Sequence, residues 1–485
     1  MASRGDIKYD EVQPQLNNSW LTLDFEETLS KTGTFTKLKS KDYYSEGLFP
    51  VVDQGDSLIS GYINDEELLY QGELPIIIFG DHTRIIKYID FEFATGADGT
   101  KILKPIEVFD NMFYYYYLKS LKIPSLGYSR HFKILKAVKI PLPPLPEQQR
   151  IVAKLDELFG HLDSLKIRLE NIPQILKNFR QAVLTQAVTG KLTEEWRVGK
   201  ELTKIDLESI EKERENLKKD IAFTRGRKTY NHKKAVKPDI GSRTKGLKEL
   251  FELPESWSWV AMDQIVYNVS DGPHFSPKYV SSDIGKRFIS MRNVSFDNLD
   301  FSGCKYVSID DHNEFIKRGK PEKGDLLYTK GGTTGIPCVL EDDTHFSYWV
   351  HLALLKPIKK YINSHYLMNA LGSSLCYNQS QALTHGVGNQ DLGLTRMIYI
   401  SFPLPPLEEQ TEIVKRVEHL FAKADVIEAQ YQSLKTKIDS LPQAILAKAF
   451  KGELVEQLPT DGDAKDLMEE IKRLKKSMVK TSVKK

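Results

Sequence analysis

Apolar residues recur at alternating steps of four and three along two stretches of the chain. In the first they are Ile151, Leu155, Leu158, Leu162, Leu165, Leu169, Ile172, Leu176, Phe179 and Val183; in the second, Ile413, Val417, Leu420, Ala424, Ile427, Tyr431, Leu434, Ile438, Leu441 and Ile445. This is the a/d seam of a heptad held for over four repeats, and it predicts two long helices. At about 45 residues and roughly 1.5 Å per residue, each is a rod on the order of 65 Å. Each follows a proline-rich strap, Pro141-Leu-Pro-Pro-Leu145 or Pro403-Leu-Pro-Pro-Leu407, that cannot itself be helical. Each ends near a glycine, Gly190 or Gly452, suited to a left-handed cap. Pro173 and Pro442 lie inside the patterns and predict a kink near each.

The two stretches are copies. At a constant offset of 262 residues, Glu147-Gln148 falls on Glu409-Gln410, Ile151-Val152 on Ile413-Val414, Leu158-Phe159 on Leu420-Phe421, Gln181-Ala182 on Gln443-Ala444 and Gly190 on Gly452. By direct count about 18 of the 52 ungapped positions are identical, which marks an internal duplication. A single heptad helix could pack on its own domain. Two seams of equal length in one chain, each leading away from a globular segment, predict an intramolecular antiparallel coiled coil.

The globular material lies in residues 1–140 and 250–402, and both segments read as mixed α/β. Leu74–Phe79, Arg84–Ile89 and Lys133–Val138 in the first, and Lys286–Met291, Asp325–Thr329 and His351–Leu355 in the second, are short, β-rich runs bounded by turn residues. Leu16-Asn-Asn-Ser-Trp20 resembles Leu253-Pro-Glu-Ser-Trp257, and beyond these openings the segments diverge. The expected architecture is α+β. Two domains are separated by two long spacer helices, 141–192 and 403–454, in a pseudo-twofold symmetric frame, with a charged linker over 193–249 and a charged tail over 455–485.

Composition narrows the picture without deciding it. The chain has 485 residues, 40% hydrophobic and 28% charged, enough apolar material for sizeable cores. Its net charge of +2 makes any electrostatic footprint local. From Ile221 to Leu250, nine Lys/Arg stand against Asp239 and Glu249, a local excess suited either to a solvated linker or to phosphate contact. The three cysteines, Cys304, Cys338 and Cys376, lack paired spacing and read as small core residues of a reducing compartment. No stretch approaches the roughly 20 apolar residues of a membrane span, so the expected location is cytoplasmic.

Catalytic signatures are not apparent. Gly331-Gly-Thr-Thr-Gly335 lacks the Lys-Ser/Thr ending of a P-loop, Asp271-Gly-Pro-His-Phe275 lacks the paired prolines of an amino-methyltransferase motif, and the histidines show no metal-ligand spacing. Asp310-Asp311 and Glu341-Asp-Asp343 read as exposed turns. Phe113 to Tyr117, beside Leu118 and Leu121, read as a helix half buried in its domain.

Two dissimilar globular segments, each followed by a matching long helix that opens with Pro-Leu-Pro-Pro-Leu and Glu-Gln, resemble the specificity subunit of type I DNA restriction-modification enzymes. The resemblance rests on Pro141–Val152, Pro403–Val414, the helix end Gln443–Leu454, Leu253-Pro-Glu-Ser-Trp257, and Lys323-Gly-Asp-Leu-Leu followed by Gly331–Gly335. It covers nearly the whole chain. It implies that the globular segments are target recognition domains, each reading one half of an interrupted double-stranded DNA sequence, and that the helices set the distance between the halves. It also implies two methyltransferase subunits as partners, with S-adenosylmethionine bound by them and not by this chain, and restriction/translocase subunits in the full complex. The chain itself would carry no catalytic centre and no metal, and its partners would perform adenine methylation and cleavage.

Base edges are read by Arg or Lys on guanine and by Asn or Gln on adenine, with Ser and Thr as adaptable contacts. On that chemistry the candidate readers in the first segment are His82, Thr83, Arg84, Lys87, Ser129, Arg130, His131 and Lys133. In the second they are Arg292, Asn293, Lys330, Thr333, Thr334, His385, Asn389 and Gln390. Two other classes stand beside this one: a structural coiled-coil scaffold binding only protein, and a self-contained methyltransferase or nuclease with an unrecognised site.

Overall fold

A computed structural model of the chain describes residues 12–96, 99–127, 129–224, 251–386, 390–462, 466–467, 469 and 471–473. The basic stretch from Arg225 to Leu250 and most of the tail beyond Asp463 lie outside the described residues. The chain forms two units, one of residues 1–170 with 431–485, the other of residues 171–430. Each unit thus combines one globular segment with part of both long helical stretches.

In the first unit the strand Ile76–Gly80 is the middle of a three-stranded antiparallel sheet, between Ile86–Ile89 and Thr100–Leu103. Its run of Ile76, Ile77, Ile78 and Phe79 is wholly buried, as expected of a strand covered on both faces. A second sheet joins Gly61–Ile63, Phe49–Val52 and Ala94–Thr95. The helix Asn111–Ser120, capped by the Asp110 carboxylate, buries Phe113, Tyr114 and Tyr117. Phe450 from the end of the second long helix meets Phe113 at 5.4 Å and Tyr117 at 5.1 Å, closing the core over Ile151 and Leu155. The aromatic run at Phe113–Tyr117 is therefore packing, as its helical spacing predicts.

The second unit has a larger central sheet. Leu326–Thr329 lies inside a four-stranded antiparallel sheet between Leu352–Pro357 and Pro337–Val339, with Val266–Asp271 at the edge. The helix Ser364–Gly372, capped by Asn363, packs behind it. In each unit a two-stranded antiparallel ribbon ties the segment's first strand to the strap before the long helix: Leu21 opposite Leu142, and Ser258 opposite Leu404. The expected strands appear at or within a few residues of their predicted positions, with one exception. Lys133–Val138 is not a strand: Phe132–Leu135 forms a short helix, because Ile134, Leu135 and Val138 recur at helical spacing and all three are buried.

The first long stretch is helical over Leu145–Glu170 and Ile172–Thr189, interrupted at Asn171, so that Pro173 sits in a first turn where its missing N–H costs no hydrogen bond. The second is continuous over Leu407–Lys451, with Pro442 inside it. Gly190 and Gly452 terminate the stretches at φ of 78° and 80°. The seam is buried at Ile151, Leu155, Leu162, Leu169, Ile413, Val417 and Ile438, and half-buried at Leu158 and Leu420. It is not buried throughout. Leu165, Ile427 and Leu434 are 43%, 48% and 46% exposed, which corrects the expectation of a fully covered a/d stripe. Where no sheet or domain helix packs on the long helices, one heptad row is buried and the next stays open.

The Glu-Gln pair that opens each long helix performs the same task twice. In the first unit Trp20 Nε1 donates to Glu147 Oε1 at 3.0 Å, and the Gln148 amide donates to the carbonyls of Val108 (3.0 Å) and Pro143 (2.9 Å). Gln148 Oε1 accepts from the Asp110 N–H at 2.8 Å. In the second, Trp257 donates to Glu409 at 2.8 Å, Gln410 donates to Tyr361 and Pro405 carbonyls, and its oxygen accepts from the Asn363 N–H at 2.8 Å. All four side chains are at most 1% exposed. Each glutamine joins the strap to the capping residue of its domain helix.

The carboxylates differ in their company. Glu409 also accepts from Arg197 at 2.5 Å and Thr193 at 2.7 Å. Glu147 has no such arginine, and its Oε2 is buried without a hydrogen bond. Burial pushes the Glu147 carboxyl above its ordinary value, the Trp20 hydrogen bond opposing it. A raised carboxyl pKa means that the folded state holds the proton longer than the unfolded state, so this group favours folding below the ordinary glutamate range and opposes it as pH rises. At neutral pH, Glu147→Gln is expected to leave thermal stability unchanged or raise it. Glu409→Gln should cost about 3 kcal/mol by leaving Arg197 unpaired. Melting curves of the two variants, read in parallel, check the opposite signs.

Candidate nucleic-acid interface

In the first unit the buried strand Ile76–Gly80 delivers a tight turn at its carboxyl end. Gly80 N–H donates to Ile85 O at 2.8 Å and Arg84 N–H to Gly80 O at 2.7 Å, with Arg84 held at a φ of 65°. Asp81 ties this turn to the segment before the short helix: its carboxylate accepts from Phe132 N–H (2.8 Å) and its carbonyl from His131 N–H (2.8 Å). The fully buried His131 ring bridges Asp81 O through Nδ1 at 2.9 Å and Leu126 N–H through Nε2 at 2.9 Å. Nε2 must therefore accept and Nδ1 donate, which fixes a neutral tautomer. Arg84 Nη1 reaches Ile123 O at 3.0 Å.

The two candidate clusters of the first segment thus share one surface. Arg84, Ser129, Arg130 and Lys133 are exposed on it, and His82 and Thr83 are half-buried, Thr83 donating to Gln54 O. His131 is interior. So is Lys87, 5% exposed, whose ammonium donates to Ser57 O at 2.5 Å; burial holds its pKa below the ordinary value against the opposing charges of Asp53 and Asp56.

The second unit repeats the device with different residues. Leu326–Thr329 delivers the turn Lys330–Gly335, and the segment before the next short helix, Leu394–Met397, folds against it. Leu392 N–H donates to Lys330 O at 2.7 Å and Gly332 N–H to Gln390 O at 3.0 Å; His385 and Asp391 exchange two backbone hydrogen bonds. The Lys330 ammonium lies 3.2 Å from Asp391 and 3.5 Å from Asp271, with its side chain 6% exposed. Arg318 and His274 also meet Asp271, and Arg396 meets Asp391. The candidate readers include Lys330, whereas Asp391, Arg318 and Arg396 carry no local motif that marks them. Asp271, part of a string that lacks the paired prolines of a methyltransferase motif, serves here as an ion-pair partner.

Thr333, Arg292, His385 and Gln390 are exposed around this turn. Thr334 is buried against Thr384 at 3.0 Å. Asn293 is interior, accepting from Ser290 N–H and donating to Asp300 O. Asn389 lies outside the described residues. Cys338 and Cys376 are buried and free, their thiols pushed up to about 12 by burial, which leaves them unreactive.

A family model described as "Type I restriction modification DNA specificity domain" matches residues 26–174 and 277–436, one match over each globular segment and its helix. The chain belongs to this family. It is 29% identical over 458 residues to the type I restriction enzyme EcoBI specificity subunit of Escherichia coli, covering 91% of this chain and 88% of that one. The EcoKI specificity subunit of Escherichia coli K12 is 28% identical, covering 76% and 71%. The crystal structure of an HsdS subunit from Thermoanaerobacter tengcongensis shares the fold, with a TM-score of 0.52 at 16% identity over 90% of this chain and 98% of that one. A structure reported for type I R-M complex assembly and conformational transition gives a TM-score of 0.55 at 16% identity over 90% and 99%.

As a specificity subunit the chain is the DNA-recognition component of a type I restriction-modification system and carries none of its catalysis. Its partners are DNA and the other subunits of that system. Among the described residues no helix is long and apolar enough to cross a membrane.

The turn on which the second surface rests tolerates little. A Cβ on Gly331 would stand 2.1 Å from the His351 ring. Gly331→Ala is expected to displace the turn, lower stability by about 1–3 kcal/mol, and impair DNA recognition more than it impairs folding. Thermal melts set beside DNA-binding titrations check this.

Proposed function

We propose that each unit presents its turn-and-loop surface to one half of an interrupted DNA sequence, and that the two long helices hold the halves at a set distance as an intramolecular antiparallel coiled coil. One observation carries the reading of bases: in each unit, residues far apart in sequence converge at the end of a fully buried central strand, with Arg84 and Arg130 exposed in one and Arg292 and Thr333 in the other. A rigid strand end is the right mount for side chains that must meet base edges with hydrogen-bond precision.

The antiparallel pairing is supported inside the second unit, where Arg180 pairs with Asp425 and Glu428 while Arg197 pairs with Glu409. Rising numbers on one side meet falling numbers on the other. In the first unit the beginning of one helix and the end of the other share a core, Ile151 and Leu155 with Leu446 and Phe450. A stiff pair of helices fixes separation where a flexible linker would let it fluctuate.

The attachment of two methyltransferase subunits is placed along the open heptad row and the domain flanks. Leu165, Ile167 and Leu434 in the first unit, and Ile175, Val426 and Ile427 in the second, are exposed apolar side chains on the long helices. S-adenosylmethionine belongs to those subunits, restriction/translocase subunits join the full complex, and the assembly works in the cytoplasm. A scaffold binding only protein has no use for two exposed arginine-bearing surfaces, and the family disfavours it.

Co-expression with the partner genes, followed by mapping of methylated adenines, tests this. Arg84→Ala is expected to relax or abolish recognition of one half-site and Arg292→Ala of the other, each base contact being worth about 1–3 kcal/mol. Deleting matched residues from both helices should change the tolerated gap and leave the bases of each half unchanged. Identical methylation patterns in all variants would refute the assignment.

A further inference from the structure

Away from the proposed DNA surface, the second unit gathers Asp297, Glu341 and His365 so that one ligand atom from each lies within 4.8 Å of the others. They come from three elements. Asp297 stands in the turn between Val294–Ser295 and Asn298–Leu299, Glu341 follows the strand Pro337–Val339, and His365 opens the helix Ser364–Gly372. His365 Nε2 is 3.4 Å from Glu341 Oε1.

Asp297 and His365 face a cavity of about 170 Å³ that is also lined by Glu418, Asp425 and Asn369. The charges there are unbalanced, since Arg180 is already shared by Asp425 and Glu428. Asn369 supplies an independent sign: it is only 3% exposed and lines this cavity, and among the described residues its side-chain amide has no hydrogen-bond partner. An amide that opens into the cavity beside carboxylates and an imidazole is placed to turn its oxygen to a cation.

We propose that Asp297, Glu341 and His365 form a site for one divalent transition-metal ion, of the Mn2+ or Zn2+ kind, with Asn369 and the Glu418 and Asp425 carboxylates around it. The imidazole selects against Mg2+ and Ca2+, and the carboxylates suit a borderline or harder ion over one held by thiolates. Modest side-chain rotation brings the three ligands to the bonds of roughly 2.0–2.2 Å that such an ion takes. The ion would clamp the 294–299 ribbon and the domain helix beside the long-helix segment Val417–Asp425. Its role is structural, and the binding test does not depend on the DNA-reading proposal.

The full chain, stripped with a chelator, is dialysed against Mn2+ or Zn2+, with Mg2+ and Ca2+ as controls, and the bound metal is counted by mass spectrometry. The expected result is one Mn2+ or Zn2+ per chain at micromolar concentration, with a rise in melting temperature that chelator reverses. Asp297→Asn, which keeps a residue tolerant of the φ of 57°, and Glu341→Gln, at a 66% exposed side chain, should each weaken binding by at least about tenfold while the metal-free proteins melt with metal-free wild type. His274→Ala should bind as wild type. Absence of saturable binding below about 1 mM, or binding undiminished in Asp297→Asn and Glu341→Gln, overturns the site.

Discussion

The structure depends on a buried acid-and-amide pair at the first turn of each long helix. A glutamate that receives the indole of the segment's opening tryptophan, and a glutamine that bonds the strap carbonyl and the domain helix's capping residue, join three distant parts of the chain at one point. The strap needs this help. Proline has no N–H, so a Pro-Leu-Pro-Pro run cannot satisfy its neighbours through a sheet ladder alone, and an uncompensated buried carbonyl costs on the order of 1–3 kcal/mol. The glutamine amide removes that cost and fixes where the helix starts relative to the sheet behind it. In the second unit Arg197 and Thr193 complete the shell around the acid; in the first the acid is left with one free oxygen. Duplicated sequence has therefore kept the geometry while the electrostatics drifted.

Much of this was legible beforehand because it is periodic or repeated. Heptad spacing announces helices, an unbroken offset announces a duplication, and β-branched runs between turns announce strands. Lys133–Val138 misled because four apolar residues in six fit both periods, and only the burial of Ile134, Leu135 and Val138 against the core decides for a helix. The open row at Leu165, Ile427 and Leu434 was equally hidden, since a heptad says which residues want cover without saying how much cover exists.

The candidate surfaces hold together as clusters and not as members. Arg84, Arg130, Arg292 and Thr333 stand exposed where their neighbourhoods suggested, but His131, Lys87, Asn293 and Thr334 are spent inside the fold. Side chains that can bond a base edge can equally bond a backbone carbonyl, and composition does not distinguish the two. The partners that decide, such as Ser57, Asp81 and Asp300, lie at sequence separations of 7 to 50 residues, beyond any local motif.

That interior use is itself part of how such surfaces can work. Lys330 lies between Asp271 and Asp391 and adds little free positive charge, yet it locks the glycine-rich turn to Asp391; His131 locks the Arg84 turn to Leu126 in the same way. A loop ordered before binding loses less entropy when DNA arrives, so more of each contact is available to discriminate bases. Lys330 anchors from the turn after the central strand and His131 from the segment before the short helix, and in both units the exposed side chains are other residues. On the proposed reading, changing the exposed residues would alter what is read without disturbing what holds the reader, and this separation would let the two segments recognise different bases.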